Sequence, residues 1–286
     1  MSEKTDIRYL GIGASSTICT LPECERDVQA LAAVYSDRGY ATRFLAARVV
    51  PYAQVAEAKH DLYGAQHAVI HFSGHGLLSD DKKSHYLWLG DQDNCVETTR
   101  WIEEIVAPVA AQCQAVTLLL DCCFAGRTAR GAARDVEAEH KPGRTAKTIG
   151  VARERYLSDD DIAEHKSAIA IDNLAIAGAC SRREIAYASM TSYIAGGWGT
   201  LDTCGLSLWT YHLVNHIARA HEPSSDPHSD QGKVQHLMAE VSYCTRAHLE
   251  SEDTPQWRAS PPRCLYPRPC WRIGRKHSHV MIDRRP

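Results

Sequence analysis

Two apolar runs, Ala68-Val-Ile-His-Phe72 and Ala115-Val-Thr-Leu-Leu-Leu120, narrow the choice of fold more than any other feature of this chain. Neither alternates apolar with polar residues, so each reads as a strand buried on both faces. The order of elements around them agrees. Ile7 to Gly13 predicts a first strand ending in a glycine turn. Glu23 to Arg38 predicts a helix, with Val28, Leu31, Ala32 and Tyr35 at helical spacing. Tyr40 to Leu45 reads as a second strand, Tyr52 to Tyr63 as a helix, Tyr86 to Leu89 as a short extra strand and Thr98 to Cys113 as a helix. Asn173 to Gly178 reads as a fifth strand, and Leu206 to Ala220 and Lys233 to Leu249 as the last helices. Strand–helix–strand order of this kind makes an α/β fold, a mostly parallel central sheet flanked by helices on both faces. The tail from Asp253, rich in Pro, Arg and Trp, receives no assignment.

At 286 residues with 44% hydrophobic side chains, the chain is long enough for one domain built on a wide sheet. A formal net charge of -3 creates no global field toward nucleic acid or an anionic membrane, so neither is expected as a partner. The apolar stretches are far shorter than the roughly 20 residues of a spanning helix, and Met1 to Asp6 carries no apolar signal segment. Eleven cysteines, an odd number without C-x-x-C spacing, then read as reduced thiols of a cytoplasmic protein.

Both buried runs end in chemically capable segments, His71-Phe-Ser-Gly-His-Gly76 and Asp121-Cys-Cys-Phe-Ala-Gly126. In an open parallel sheet the turns at the carboxyl ends of the strands open into one crevice. A histidine from one end and a cysteine from the other face each other there, the minimum for a cysteine nucleophile with an imidazole partner. The imidazole and a polar crevice favour the thiolate, and the same imidazole supplies the proton for a leaving amine. Cys123 is favoured over Cys122 because it shares pleat parity with Asp121, which turns Cys122 toward the core. Among the histidines, His71 lies inside a strand and reads as a core residue, and His85 falls in a charged loop. His75 stands between Gly74 and Gly76, which allow a tight turn and a close approach to substrate. The amides of Gly76 and Cys123 are the candidates for stabilising an oxyanion.

Ser73-Gly-His-Gly after one strand and Asp121-x-Cys-x-x-Gly after the next long one resemble the caspase-like cysteine peptidases, most of all the metacaspases and their prokaryotic relatives, the orthocaspases. The likeness runs from Gly11 through Gly126, including Cys24-x-x-Asp27. It continues through Ala177-Gly-Ala-Cys-Ser181 with Glu184 and Ala186, then Gly205 to Leu213 and Thr254-Pro-Gln256. The resemblance implies the caspase–haemoglobinase fold, His75 as the imidazole and Cys123 as the nucleophile. It also implies a single peptidase domain in three parts: a large-subunit-like segment at 1–126, an activation linker at 127–166 and a small-subunit-like segment at 167–286. The charged stretch without apolar periodicity falls in that linker. Where many metacaspases carry His-Ser after the nucleophile, this chain has Phe124-Ala125, a departure at neighbouring contacts and not at the dyad.

The matching motifs put Asp27, Ser73 and Asp121 in the pocket for the residue before the cut. Two carboxylates there favour a guanidinium and repel an aspartate, so cleavage after Arg is expected, with Lys second. Protein substrates with exposed Arg or Lys sites are the expected partners. An Arg-directed enzyme can cut its own linker, at Arg127, Arg130, Arg134, Arg144, Arg153 or Arg155, or an upstream protease can do so. No cofactor is required. Calcium, needed by several metacaspases, has candidate ligands in Asp80, Asp81, Asp91 and Asp93, whose spacing matches no EF-hand loop. The setting implied by the resemblance is regulated cell death or antiviral defence. Two alternatives stand beside this reading: an idle caspase-like binding module, and an Asp-directed caspase whose pocket would draw on Arg182 or Arg183.

Overall fold

The computed structural model describes residues 6–18, 20–79, 84–123, 171–179 and 205–219, the backbone of 136–137, 153–154 and 270–273, and helical positions 237, 241 and 243–245. In chain order the elements are β1 (Ile7–Ala14), α1 (Glu23–Ser36), β2 (Ala41–Ala47), α2 (Tyr52–Ala58), β3 (His67–Ser73), β4 (His75–Leu78), β5 (His85–Trp88) and β6 (Cys95–Glu97). There follow α3 (Thr98–Trp101), α4 (Ala107–Gln112), β7 (Ala115–Asp121), β8 (Val136–Glu137), β9 (Arg153–Glu154), β10 (Leu174–Gly178), α5 (Leu208–Arg219) and β11 (Cys270–Ile273).

The central sheet has six strands in the order β11-β10-β7-β3-β1-β2. All pairings from β10 to β2 are parallel, and β11 closes one edge antiparallel to β10. The middle strands β3, β7 and β10 are buried at every position, as unbroken apolar runs require of strands covered on both faces. Edge strand β2 is at best half-buried.

The helices are drawn close by specific sequence features. A side chain at Gly13 would begin 2.3 Å from the Cys24 carbonyl oxygen, so the glycine lets α1 lie directly on β1. It sits within the strand, not in a turn after it, which corrects the sequence expectation. α3 and α4 form one helical run interrupted by a π-helical stretch at Ile102–Val106. Pro108 in the first turn of α4 has no N–H to offer the carbonyl four residues back. That carbonyl, of Glu104, accepts instead from Lys59 Nζ at 2.6 Å. The buried Arg38 guanidinium, just past α1, donates to the Ile217 carbonyl and, at 3.3 Å, to that of Ala218. A cation thus satisfies the carbonyls at the C-terminal end of α5.

Four further features differ from the sequence expectation. β4, β5 and β6 form a separate antiparallel sheet, of which only β5 was predicted. His85 opens β5 and is buried, so it is not a residue of a charged loop. The unassigned tail supplies β11, and the charged linker carries the antiparallel pair β8–β9, with Val136 opposite Glu154. Among the described residues no helix is long and apolar enough to cross a membrane.

Candidate active site

The site is assembled by the register of β3 and β7. Ser73 and Asp121 are partners at the carboxyl ends of these strands, and the Gly74 N–H extends the pairing by donating to the Asp121 carbonyl at 3.2 Å. β4 then begins at once with His75, so the chain leaving β3 runs beside the chain leaving β7. At Gly76 a side chain would start 2.0 Å from the Cys123 carbonyl oxygen and 3.0 Å from His85 Nε2. His75-Gly76 and Cys123 are therefore in backbone contact, and His75 and Cys123 are both fully buried.

Gly76 serves this packing inside a strand and is not a turn residue. Gly76→Ala is expected to cost about 3 kcal/mol, because backbone on the other side cannot yield as a flexible side chain would. In a chain of this size that is a fall in melting temperature of roughly 6–12 °C, readable by calorimetry.

Asp27, Ser73 and Asp121 come together although they lie on α1, β3 and β7. Ser73 Oγ donates to Asp27 Oδ2 at 2.6 Å. Ser207, immediately before α5, joins the two carboxylates: its N–H donates to Asp27 Oδ1 at 2.8 Å and its hydroxyl to Asp121 Oδ2. Thr210 Oγ1 donates to the same Asp121 oxygen at 2.7 Å. Asp27, Ser73, Asp121, Ser207 and Thr210 are all fully buried. Carboxylate oxygens at this depth require such donors, because a buried polar atom without a partner is costly. Burial, then Tyr35 and the nearby Asp27, hold the Tyr9 phenol well above its ordinary range. Tyr9 OH in turn bonds His71 Nδ1 at 2.9 Å, so His71 is a core histidine as expected.

Ser207 and Thr210 were not singled out from sequence, and His85 was set aside there as a residue of a charged loop. A serine just before a helix reads as an N-cap, and the Tyr211 N–H does bond the Ser207 carbonyl at 2.8 Å to open α5. Only the fold reveals that the serine's other groups reach two distant carboxylates. His85 Nε2 lies 3.0 Å from the Cys123 carbonyl oxygen.

Burial does not separate Cys122 from Cys123, since both are fully enclosed. Other thiols are set apart by their chemistry. Burial pushes Cys95 up to about 11, and Cys113, which donates to the Leu62 carbonyl at 3.1 Å, is also raised by burial. At pH 7.5 a thiol with a pKa near 11 holds about 300-fold less thiolate than an ordinary one. Cys95 is expected to lag iodoacetamide labelling of a simple thiol by about that factor, which peptide-mapped mass spectrometry over time will measure.

Asp91 Oδ1 accepts from the Asn94 N–H at 2.9 Å and from Asn94 Nδ2 at 2.8 Å, so it closes a turn that also contains Asp93. Among the described residues no three His, Cys, Asp or Glu side chains are grouped to hold a metal ion. Asp80 and Asp81 lie outside the described residues, as do Arg127, Arg130, Arg134, Arg144, Arg155, Arg182 and Arg183. Arg153 is in β9, paired across from Glu137.

The family model of the caspase domain matches residues 11–266. No curated protein matches the sequence. Among solved structures, the fold is similar to a structural-genomics protein from Geobacter sulfurreducens at 15% identity and a TM-score of 0.55, covering 95% of this chain and 94% of that one. It is similar to caspase-1 from Spodoptera frugiperda at 11% identity and a TM-score of 0.53, covering 95% and 89%. The Drosophila initiator caspase Dronc matches at 8% identity and a TM-score of 0.50, covering 96% and 80%. These likenesses speak to the fold, and the family match spans most of the sequence: the chain belongs to the caspase-domain family of cysteine peptidases.

Proposed function

We propose that this chain is a cysteine endopeptidase that cleaves proteins after Arg, with Lys second, using His75 and Cys123. The reading rests on one observation: two buried carboxylates, Asp27 and Asp121, are joined through Ser207 at the same strand ends that bring His75 and Cys123 together. In this scheme the Cys123 thiolate attacks the carbonyl carbon of the scissile peptide. The resulting oxyanion is held by the amides of Gly76 and Cys123. The His75 imidazolium then gives its proton to the leaving amine, and water hydrolyses the thioester. The Arg side chain of the substrate is held by Asp27 and Asp121 through charge-assisted hydrogen bonds.

Activation by cleavage in the 127–166 linker fits two further facts. His75, Cys123 and both carboxylates are buried, so access to them requires rearrangement. The segments on either side of the linker are joined without it, by the β7–β10 ladder and by the Ser207 and Arg38 bonds. A cut there frees the new ends while the pocket stays assembled. The three-part organisation, with a large-subunit-like segment at 1–126, a linker at 127–166 and a small-subunit-like segment at 167–286, is part of the same proposal. A cytoplasmic setting in regulated cell death or antiviral defence is the biological extension of the same reading.

The test is hydrolysis of matched fluorogenic peptides ending in Arg, Lys or Asp, with and without calcium, alongside a denaturing gel of the protein. Turnover in the order Arg, Lys, then Asp, with fragments split inside 127–166, is the expected result. Preference for Asp would overturn the pocket assignment. Silence even after the linker has been nicked by a second protease would replace the enzyme with a binding module.

A further inference from the structure

The Cys122-Cys123 dipeptide is pinned at both ends by groups outside its own strand. Upstream, the Asp121 carbonyl accepts from the Gly74 N–H at 3.2 Å. Downstream, the Cys123 carbonyl lies 3.0 Å from His85 Nε2. A carbonyl oxygen has no proton to give, so this bond requires the proton on Nε2 of His85. Holding the Cys123 carbonyl restrains the dihedral between its Cα and its carbonyl carbon, one of the two soft backbone dihedrals of the residue, and so narrows where the Cα–Cβ bond can point.

His85 is itself held. It is 2% exposed at the start of β5, and its own carbonyl accepts from Thr98 Oγ1 at 3.0 Å. The preceding Ser84 donates through Oγ to Glu97 Oε1 at 2.7 Å, which ties the entry of β5 to β6. Gly76 leaves the room for the bond, since a side chain there would press on both its donor and its acceptor. The small sheet β4-β5-β6 thus has a task beyond covering the core: β4 carries His75, and β5 carries the group that holds the peptide of Cys123.

We propose that His85 is a positioning residue for the nucleophile, acting through the Cys123 carbonyl and not on the substrate. This inference rests on Cys123 being the nucleophile of the proposed reaction. Misplacing a reacting group by about 1 Å costs about 100-fold in rate. His85→Leu removes the donor and is expected to lower kcat on an Arg peptide by about 100-fold with KM unchanged, and to alter the iodoacetamide alkylation rate of Cys123. His85→Gln places an N–H donor at similar reach and is expected to restore kcat to within about fivefold of wild type.

Alkylation of the linker-cleaved protein, localised to Cys123 and not Cys122 by fragment-ion mass spectrometry, reads the inference even if no peptide is hydrolysed, so failure of the proposed reaction is distinguishable from failure of this assignment. Wild-type kcat and alkylation in His85→Leu would overturn it, as would a folded His85→Gln variant as impaired as the Leu variant. Should His85→Leu not fold, ring-nitrogen NMR of the wild-type protein decides: protonation at Nε2 of His85 supports the bond, and an Nδ1–H tautomer refutes it.

Discussion

Cys123→Ala is expected to reduce hydrolysis of an Arg peptide by at least about 10⁴-fold, the scale seen when a nucleophile that acts as a unit with its base is removed. Without the sulfur no acyl intermediate forms, and the proposed reaction gives the neighbouring Cys122 no part. Pleat parity read from the sequence sets Cys123 with Asp121, but β7 ends at Asp121 and both cysteines lie past it, fully buried, so the two substitutions decide between them. Cys122→Ala is expected to keep activity within about threefold while losing about 1–2 kcal/mol of stability to the cavity left in the core. Initial rates and thermal melts of the two variants make the comparison. Equal loss in both, with both folded, would mean that the dipeptide's geometry and not one sulfur governs the rate. Loss in Cys122→Ala alone would reverse the assignment.

Legibility followed the physics of each element. β3 and β7 declared themselves because a strand buried on both faces has no alternation to disguise it. β4 and β6 were missed because four and three residues carry too little pattern. His85 was misplaced because the charges around it in sequence are polar neighbours of a strand that turns inward. β11 pairs through backbone hydrogen bonds with β10, a requirement almost independent of side-chain composition, so a Pro- and Arg-rich tail gave no sign of it.

The site divides the same way. His75 and Cys123 lie at strand ends and were visible as strand ends. Asp27, Ser73 and Asp121 were grouped by resemblance, and the fold brings the three together. Ser207 escaped because a single serine there performs two tasks. Its carbonyl opens a helix, which sequence expresses, while its N–H and hydroxyl reach residues 180 and 86 positions away, which sequence does not.

That arrangement makes the carboxylates replaceable without tearing the pocket apart, and so permits a clean test of specificity. In Asp27→Asn the retained oxygen still accepts from the Ser207 N–H, a donor that cannot change role. The new amide faces Ser73 Oγ, a hydroxyl that can rotate from donor to acceptor. In Asp121→Asn the contacts at Oδ2 are both hydroxyls and adapt in the same way. Shape and hydrogen bonding survive while the charge is removed. A charge-assisted hydrogen bond is worth about 1.5–3 kcal/mol, so each substitution is expected to lower kcat/KM for the Arg peptide by roughly 10- to 100-fold. The double variant should fall by roughly 1,000-fold, with Lys peptides affected in the same direction. Asp peptides should not gain to a similar extent, because neutralising a pocket removes repulsion without supplying a cation. Alkylation of Cys123 reports whether the nucleophile is intact in each variant. A double variant that still prefers Arg, with Cys123 reacting normally, would place the specificity pocket elsewhere; collapse of Arg turnover with that thiol undisturbed would assign it to Asp27 and Asp121.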